Sequence, residues 1–319
     1  MAYGIMCSGG DAPGMNPAIK KFVDYLSKLN IEPYFIYDGL EGLIDGKIKK
    51  ATHKDVAGII TRGGTVIRSS RSKRFFEKKY RQQAYENLKK NGIEALIVLG
   101  GDGSFRAMDV FYREFGVKFV GIPSTIDNDI YGTEYCLGVD TALNVIRDSI
   151  DKIKDTASSF NRAFVVEVMG RECGYLAAIS AMVSGAEVCA IPEVDFDKQK
   201  MMRRLQKEFQ EGRSSMLAVV AEGTQATYEM KEWIENSLHV ETRVSILGHI
   251  QRGGSPSVKD RLIAFEFCIK AIEQLLRDEK SHYVIVYNNA KYSFESIEKV
   301  VSKKYQIPTW VLESLNYLD

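Results

Sequence analysis

The most chemically suggestive residues of this sequence lie in short loops rich in glycine, carboxylate and hydroxyl groups. Ser8-Gly9-Gly10-Asp11-Ala12-Pro13-Gly14 and Gly100-Gly101-Asp102-Gly103-Ser104 each combine paired glycines with an aspartate. Lacking Cβ atoms, such turns let backbone N–H groups close on a phosphate, and the N-terminus of a following helix adds favourable partial charge. A tight strand-to-helix turn would use the same glycines, but two such loops tilt the balance toward phosphate contact. Neither is a P-loop, since no Gly-Lys-Ser/Thr follows, and neither spells the three-glycine dinucleotide fingerprint. Asp102 would repel a phosphate unless a divalent cation sat between them, which suggests a Mg²⁺ site; an isolated aspartate there also serves as a helix N-cap.

Thr125-Ile126-Asp127-Asn128-Asp129 packs two carboxylates, an amide and a hydroxyl into five residues directly after an apolar run. Phosphoryl transfer needs one carboxylate to orient the attacking hydroxyl and take its proton, and others on the metal side. Asp127 is the candidate base and Asp129 the metal-side partner. Cations must also absorb charge spread over the transferred phosphoryl oxygens. Arg71, Arg162, Arg171, Arg243 and Arg252 stand beside turn glycines, strand ends or the polar stretch from Thr156. His249, in Gly-His-Ile-Gln-Arg-Gly-Gly, can bond a phosphate oxygen, whereas His53, His239 and His282 have no such setting and read as surface residues.

These loops need a scaffold that points them the same way. Runs rich in Val, Ile, Phe and Tyr recur at 3–7, 34–37, 95–99, 119–122, 164–168, 188–191, 216–220 and 284–287. Between them apolar residues fall at steps of three and four, as in Ile19, Phe22, Val23, Leu26 and Leu29, which predicts amphipathic helices. This alternation predicts an α/β fold with mainly parallel sheets covered on both faces, whose ligands bind at the carboxyl ends of the strands. No linker or repeat marks a domain boundary.

Composition narrows the function classes. Lys and Arg total 43 against 42 Asp and Glu, a net charge of +1, so no overall field favours nucleic acid or an anionic membrane. No apolar run reaches membrane-spanning length, and the N-terminus lacks the pattern of a signal peptide. The five cysteines, Cys7, Cys136, Cys173, Cys189 and Cys268, are odd in number and widely spaced, reading as reduced core thiols of a cytoplasmic protein.

Taken together, the segments Ser8 to Asn16, Gly100 to Ser104, Pro123 to Asp129, Val166 to Arg171 and Thr242 to Pro256 resemble the bacterial phosphofructokinase family, in the family's order and over essentially the whole chain. The resemblance implies two similar doubly wound domains enclosing a cleft: a nucleotide-binding domain of 1–137 plus 252–300, and a fructose-6-phosphate-binding domain of 138–251 plus 301–319. It implies Mg²⁺-dependent transfer of the ATP γ-phosphoryl group to the 1-hydroxyl of fructose 6-phosphate, in a homotetramer whose sugar-phosphate sites are completed by a neighbouring subunit.

By the same resemblance Asp127 is the base, Asp102 the Mg²⁺ anchor, and Thr125, Arg171 and Arg71 contacts of the transferred phosphoryl. Met169, Gly170, Glu222 and Arg252 match sugar contacts, His249 a ligand of the 6-phosphate, and Arg162 and Arg243 a pair reaching that phosphate from a neighbour. Gly10, Arg71, Ser72, Gly103 and Ser104 match the nucleotide side.

Three departures from the family pattern stand out. Leu40 and Ser72 replace aromatic residues on the adenine side. Ser124 is neither the Gly of ATP enzymes nor the Lys of pyrophosphate enzymes; Gly103, which is Asp in the latter, favours ATP, with a pyrophosphate-dependent phosphofructokinase as the alternative. In the cluster that binds ADP or phosphoenolpyruvate in bacterial relatives, the positions read Lys20, Asp24, His53, Lys154, Glu211 and Arg213, with Glu187 at the metal-ligand position. Two cations have become carboxylates, so weak effector control is expected. A binding protein that had lost the chemistry would lack Asp127 or Asp102, and an NAD or lipid kinase would not explain Met169-Gly170-Arg171 or the segment around His249.

Overall fold

The computed structural model describes residues 1–195 and 198–318. The chain divides into two units, one of residues 1–141 and 252–305, the other of 142–251 and 306–319.

The first unit opens with β1 (Ala2–Ser8), α1 (Met15–Lys28), β2 (Glu32–Ile36), α2 (Gly39–Ile44) and the short β3 (Ile48–Lys50). It continues through α3 (Lys78–Lys90), β4 (Ile93–Gly100), α4 (Asp102–Phe115) and β5 (Lys118–Pro123). α5 (Val139–Phe160) then carries the chain without a break into the second unit, which contains β6 (Ala163–Val168), α6 (Tyr175–Ser184), β7 (Val188–Ala190) and α7 (Lys198–Gln210). β8 (Met216–Ala221), α8 (Thr227–Leu238) and β9 (Thr242–Ile246) follow. The chain returns to the first unit as α9 (Val258–Arg277), β10 (His282–Asn288), β11 (Lys291–Ser296) and α10 (Ile297–Ser302), and α11 (Thr309–Ser314) ends it in the second.

In the first unit seven strands pair in the order β11-β10-β5-β4-β1-β2-β3. The five central strands are parallel, and only β3 and β11 at the edges run antiparallel. β1 and β4 are buried almost throughout, as strands covered on both faces must be, and their apolar runs are continuous rather than alternating. α1 and α9 pack together, and α4 packs with α3 and α10. Because β1 leads toward β2 and β4 leads the opposite way toward β5, their outgoing loops part at the point where the strand order reverses. Right-handed crossovers place a crevice there.

Among the described residues of the second unit, four parallel strands pair in the order β7-β8-β6-β9. Met216, Ala218 and Val220 of β8 share a core with Val188, Leu205, Met230 and Ile234, while the alternate residues Leu217 and Val219 are buried on the other face. Here the loops part between β6 and β8.

The eight predicted strands are all present. β3 and β11 have no counterpart in the sequence pattern, and β9, although a strand is expected to end near Gly248, is not among its apolar runs. β11 joins β10 through Asn289 and Ala290, both at positive φ (49° and 58°), so the tight hairpin lacks the Asn-Gly pair that would have announced it.

Candidate active site

The three phosphate-suggestive loops leave one edge of the first sheet side by side. Ser8 stands opposite Gly100, and Gly100 opposite Pro123, so the turns after β1, β4 and β5 begin roughly 4.8 Å apart. Cross-links hold them in step. Ser104 Oγ donates to Ser8 O at 3.0 Å, and Ser124 N donates to Gly100 O at 2.9 Å. Gly10, Asp102 and Asp127 are therefore brought together by the sheet itself.

At Gly10 the guanidinium of Arg252 comes so close that a Cβ would lie 2.3 Å from Nη1, so any side chain there would displace the arginine. Arg252 is largely buried, its Nη1 lies 3.8 Å from Asp11 Oδ1, and its Nε has no hydrogen-bond partner among the described residues. Cationic N–H groups beside a glycine turn form an anion-receptive corner.

Asp102 is the first residue of α4, and its partly exposed carboxylate pairs with Arg106 Nε at 2.7 Å. Hard carboxylate oxygens facing solvent suit Mg²⁺, which takes one or two carboxylates and fills its shell with phosphate and water. Among the described residues no group of three or more His, Cys, Asp or Glu could form a complete metal cage, so an ion here would share Asp102 with a bound phosphate. Gly103, next in the helix, is exposed, and a Cβ built on it would meet nothing within 4 Å. The fold has no need of glycine at this position.

Asp127 is 2% exposed, and its backbone N–H donates to Thr125 Oγ1 at 3.2 Å, which curls the loop after β5. Asn128, at φ 54° and fully buried, fixes the turn by accepting from Cys136 N at 2.9 Å and donating to Glu134 O and the Tyr305 hydroxyl, each at 3.1 Å. Asp129 follows, partly buried.

The loop carrying Arg71 is laid over the Gly9 turn. Ser69 Oγ donates to Gly9 O at 2.8 Å, and Gly9 N donates to Ser70 O at 3.3 Å. Arg71 itself is exposed, and among the described residues it has no ion-pair or hydrogen-bond partner. Ser72 points away, its hydroxyl donating to Glu41 and accepting from Phe75 N at 3.1 Å. Leu40 is buried in α2.

In the second unit the carboxyl ends of β6 and β8 meet. Glu222 Oε1 accepts the backbone N–H groups of Gly170 at 3.3 Å and Arg171 at 2.9 Å. Gly170 has φ 139°, and a Cβ there would lie 2.3 Å from Cys173 O, so only glycine fits. Buried Gln251 accepts from Met169 N at 3.1 Å and donates to Gly248 O at 3.0 Å, pinning the turn that carries exposed His249 beside the Met169 loop. Met169, Gly170, Arg171, Glu222 and His249 thus share one end of this sheet.

Arg162 and Arg243 do not. Arg162 directly precedes β6, and Arg243 is the second residue of β9, at the amino ends of the strands; both pair with Glu241, Arg162 at 2.6 Å. The six-residue β6 puts this pair about 20 Å from Met169.

The residues at the suspected effector positions are engaged by partners of their own. Lys20 and His53 both meet Asp24, at 2.9 and 3.0 Å, and Lys154 Nζ donates to Ser184 O at 2.7 Å. Arg213 pairs with buried Glu187 and with Glu208, the latter at 2.9 Å, while Glu187 Oε2 accepts from Leu217 N at 2.6 Å.

Sequence reasoning missed Asn16, Glu41, Gln251 and Asp260, whose side chains tie separate segments together. Each works by hydrogen bonds to groups distant in the chain, which no local pattern announces. Asn16 lies inside a quoted motif, yet only the structure shows its amide bonding Arg62 O at 2.9 Å and Val66 N at 2.8 Å.

The phosphofructokinase family model matches residues 2–275. The ATP-dependent 6-phosphofructokinase of Sulfurimonas denitrificans is 55% identical over 315 residues, 98% of each chain. That of Wolinella succinogenes is 53% identical over 309 residues, 97% of this chain and 96% of its own. Among solved structures, a phosphofructokinase from Saccharomyces cerevisiae superposes with a TM-score of 0.90 at 33% identity, over 94% of this chain but only 45% of the yeast one. A pyrophosphate-dependent phosphofructokinase from Marinobacter aquaeolei superposes with a TM-score of 0.84 at 20% identity, over 97% of this chain and 86% of its own, a likeness of fold alone. With the family model covering most of its length and relatives matching more than half of its residues, the chain belongs to the phosphofructokinase family.

Proposed function

We propose that this chain is an ATP-dependent 6-phosphofructokinase, transferring the γ-phosphoryl group of ATP to the 1-hydroxyl of fructose 6-phosphate. The observation that carries this reading is the convergence of Gly10, Asp102 and Asp127 at adjoining strand ends. Relatives 42 to 55% identical bear the same name.

ATP as donor is further supported by Gly103. Glycine in a helix is less stable than alanine by up to roughly 1 kcal/mol. Here it stands where a Cβ would meet nothing within 4 Å, which leaves room for a nucleotide.

The first unit binds the donor through the turns at Gly10, Gly103 and Ser104, with Arg71 on the loop laid over the Gly9 turn. When bound at Asp102, Mg²⁺ supplies neutralisation of charge on the donor's phosphate oxygens. Asp127 accepts the proton of the sugar 1-hydroxyl as its oxygen bonds to the γ-phosphorus and the bond to the β-phosphate oxygen breaks, releasing ADP. Arg71, Arg171 and Thr125 hold the transferred group by fixed charge and hydrogen bonds, and Asp129 supports the metal side. Met169, Gly170, Glu222 and Arg252 take the sugar, and His249 its 6-phosphate.

Arg162 and Arg243, about 20 Å along the sheet from Met169, suit a second copy's 6-phosphate and so a homotetramer with shared sites. We place the enzyme in the cytoplasm, where ATP is the common donor and its five free cysteines stay reduced; no described helix is long and apolar enough to cross a membrane.

The test is an assay with Mg²⁺, fructose 6-phosphate and either ATP or pyrophosphate. Fructose 1,6-bisphosphate made from ATP supports the reading, and product from pyrophosphate alone overturns it.

A further inference from the structure

The loop that presents Arg71 is gripped on both sides by α2 and the residues that flank it. Upstream, Arg68 forms a two-pronged pair with Asp38 at 2.7 and 3.0 Å, and Ser70 Oγ donates to Asp38 O at 2.6 Å. Downstream, Glu41 takes three hydrogen bonds: from Ser72 Oγ, from Arg74 Nε at 2.7 Å, and from Arg74 Nη2, which also reaches Asp45 at 2.9 Å. Ser72 Oγ in turn accepts Phe75 N. Burial pushes the Glu41 carboxyl up, but the bonds from Arg74 and Ser72 and the charge of Arg74 outweigh it and hold it below its ordinary value. The carboxylate is one-quarter exposed and committed on both oxygens, so it acts as a fixed anchor rather than a solvated surface acid.

Arg71 lies between these two anchors, with the Gly9 turn beneath Ser69 and Ser70. A cation that stabilises developing charge is most effective when its position is set before the reaction, because reorganisation then costs nothing at the moment of transfer. The backbone at 71 has no hydrogen bond of its own to regular structure, and its guanidinium has no partner among the described residues. Its placement therefore depends on residues 70 and 72.

We infer that Glu41 is a positioning residue for phosphoryl transfer, acting through Ser72 and Arg74 to keep Arg71 poised beside the Gly9–Gly10 turn. This rests on the role proposed above for Arg71. It also accounts for Ser72: a hydroxyl at this position answers the carboxylate on α2, in place of aromatic packing.

The experiment compares Glu41→Ala, Glu41→Gln, Arg71→Ala and the double variant Glu41→Ala/Arg71→Ala by turnover, KM for both substrates, melting temperature and tryptic cleavage after Arg71, Lys73 and Arg74. Glu41→Ala is expected to lower turnover by about tenfold, the middle of the range for residues in one hydrogen-bond network, with KM for fructose 6-phosphate within about twofold and faster tryptic cleavage of the loop. Glu41→Gln, which keeps an acceptor, should recover part of the loss. In the Arg71→Ala background Glu41→Ala should cost nothing further. If Arg71→Ala is impaired but Glu41→Ala is not, or if the two losses multiply in full, the inference about Glu41 is wrong while the role of Arg71 stands. If Arg71→Ala turns over normally, that role fails and takes the inference with it. Should Glu41→Ala not fold, Ser72→Ala and Arg74→Ala each cut one arm of the same anchor: smaller losses that vanish in the Arg71→Ala background support the inference, and full turnover in both overturns it.

Discussion

Thr141 donates to Asp260 twice, from its backbone N–H at 2.8 Å and its hydroxyl at 2.5 Å. With Gly138 N at 2.9 Å, these bonds make a buried carboxylate of α9 the cap of α5, the helix that leads out of the first unit. Burial pushes Asp260 up from an ordinary 3.8 to about 6, although the bonds from Thr141 and Gly138 pull it back. The folded protein thus holds this proton more tightly than the unfolded chain, so the contribution of Asp260 to stability falls as pH rises from about 4 through about 6. The full effect is about 3 kcal/mol, at 1.36 kcal/mol per unit. Melting temperatures of wild type and Asp260→Asn at pH 4.5 and 7.5 test this: the wild-type value minus the variant's should be smaller at pH 7.5, and a difference that grows with pH would contradict the assignment.

Asp127→Asn keeps shape but cannot accept the proton. Turnover should fall at least roughly a hundredfold, the lower end for a lost general base. Fructose 6-phosphate affinity, read by equilibrium binding, should change little. A variant retaining a tenth of wild-type turnover would remove Asp127 from the role of base.

Gly103→Asp places a negative group where the structure has open space. The fold should tolerate it, and the melting temperature should hold or rise slightly, since a carboxylate in the first turn of α4 complements the helix dipole. Catalytic efficiency with ATP should drop at least about tenfold, because juxtaposed like charges cost several kcal/mol. Unchanged kinetics with ATP would show that the donor does not pass this position.

Glu187 and Glu208 neutralise Arg213, and Asp24 neutralises Lys20. A polyanion binding at these residues would have to break those pairs. Steady-state rates at subsaturating fructose 6-phosphate should therefore change by less than about tenfold when ADP or phosphoenolpyruvate is added, well short of the upper range of allosteric coupling. A larger change would refute weak effector control.

Legibility in the sequence followed from how far each signal reaches. The turns at Gly9–Gly10 and Gly100–Gly101 announced themselves because backbone geometry demands a local residue type, and the buried runs of β4 and β8 because they are apolar without interruption. β9 did not, since Arg243 and Ser245 alternate with its apolar residues and five residues are too few to establish a period. The division between units left no mark either, because α5 runs straight across it. Glu41 looked like any surface acid; its partners lie 31 and 33 positions away. Sequence spacing exposes turns and faces, while anchors made by long-range hydrogen bonds to a loop appear only once the chain has folded.

The placement of Arg162 and Arg243 at the amino ends of their strands has a genetic corollary. If each copy lends these cations to the chemistry of its neighbour, two dead alleles can heal one another. Subunits bearing Asp127→Asn, co-assembled with subunits bearing Arg162→Ala, would generate some sites with both functions intact. Activity would then appear in the mixed assembly that neither pure population possesses, and its absence from verified hybrids would mean that every chain works with its own arginines.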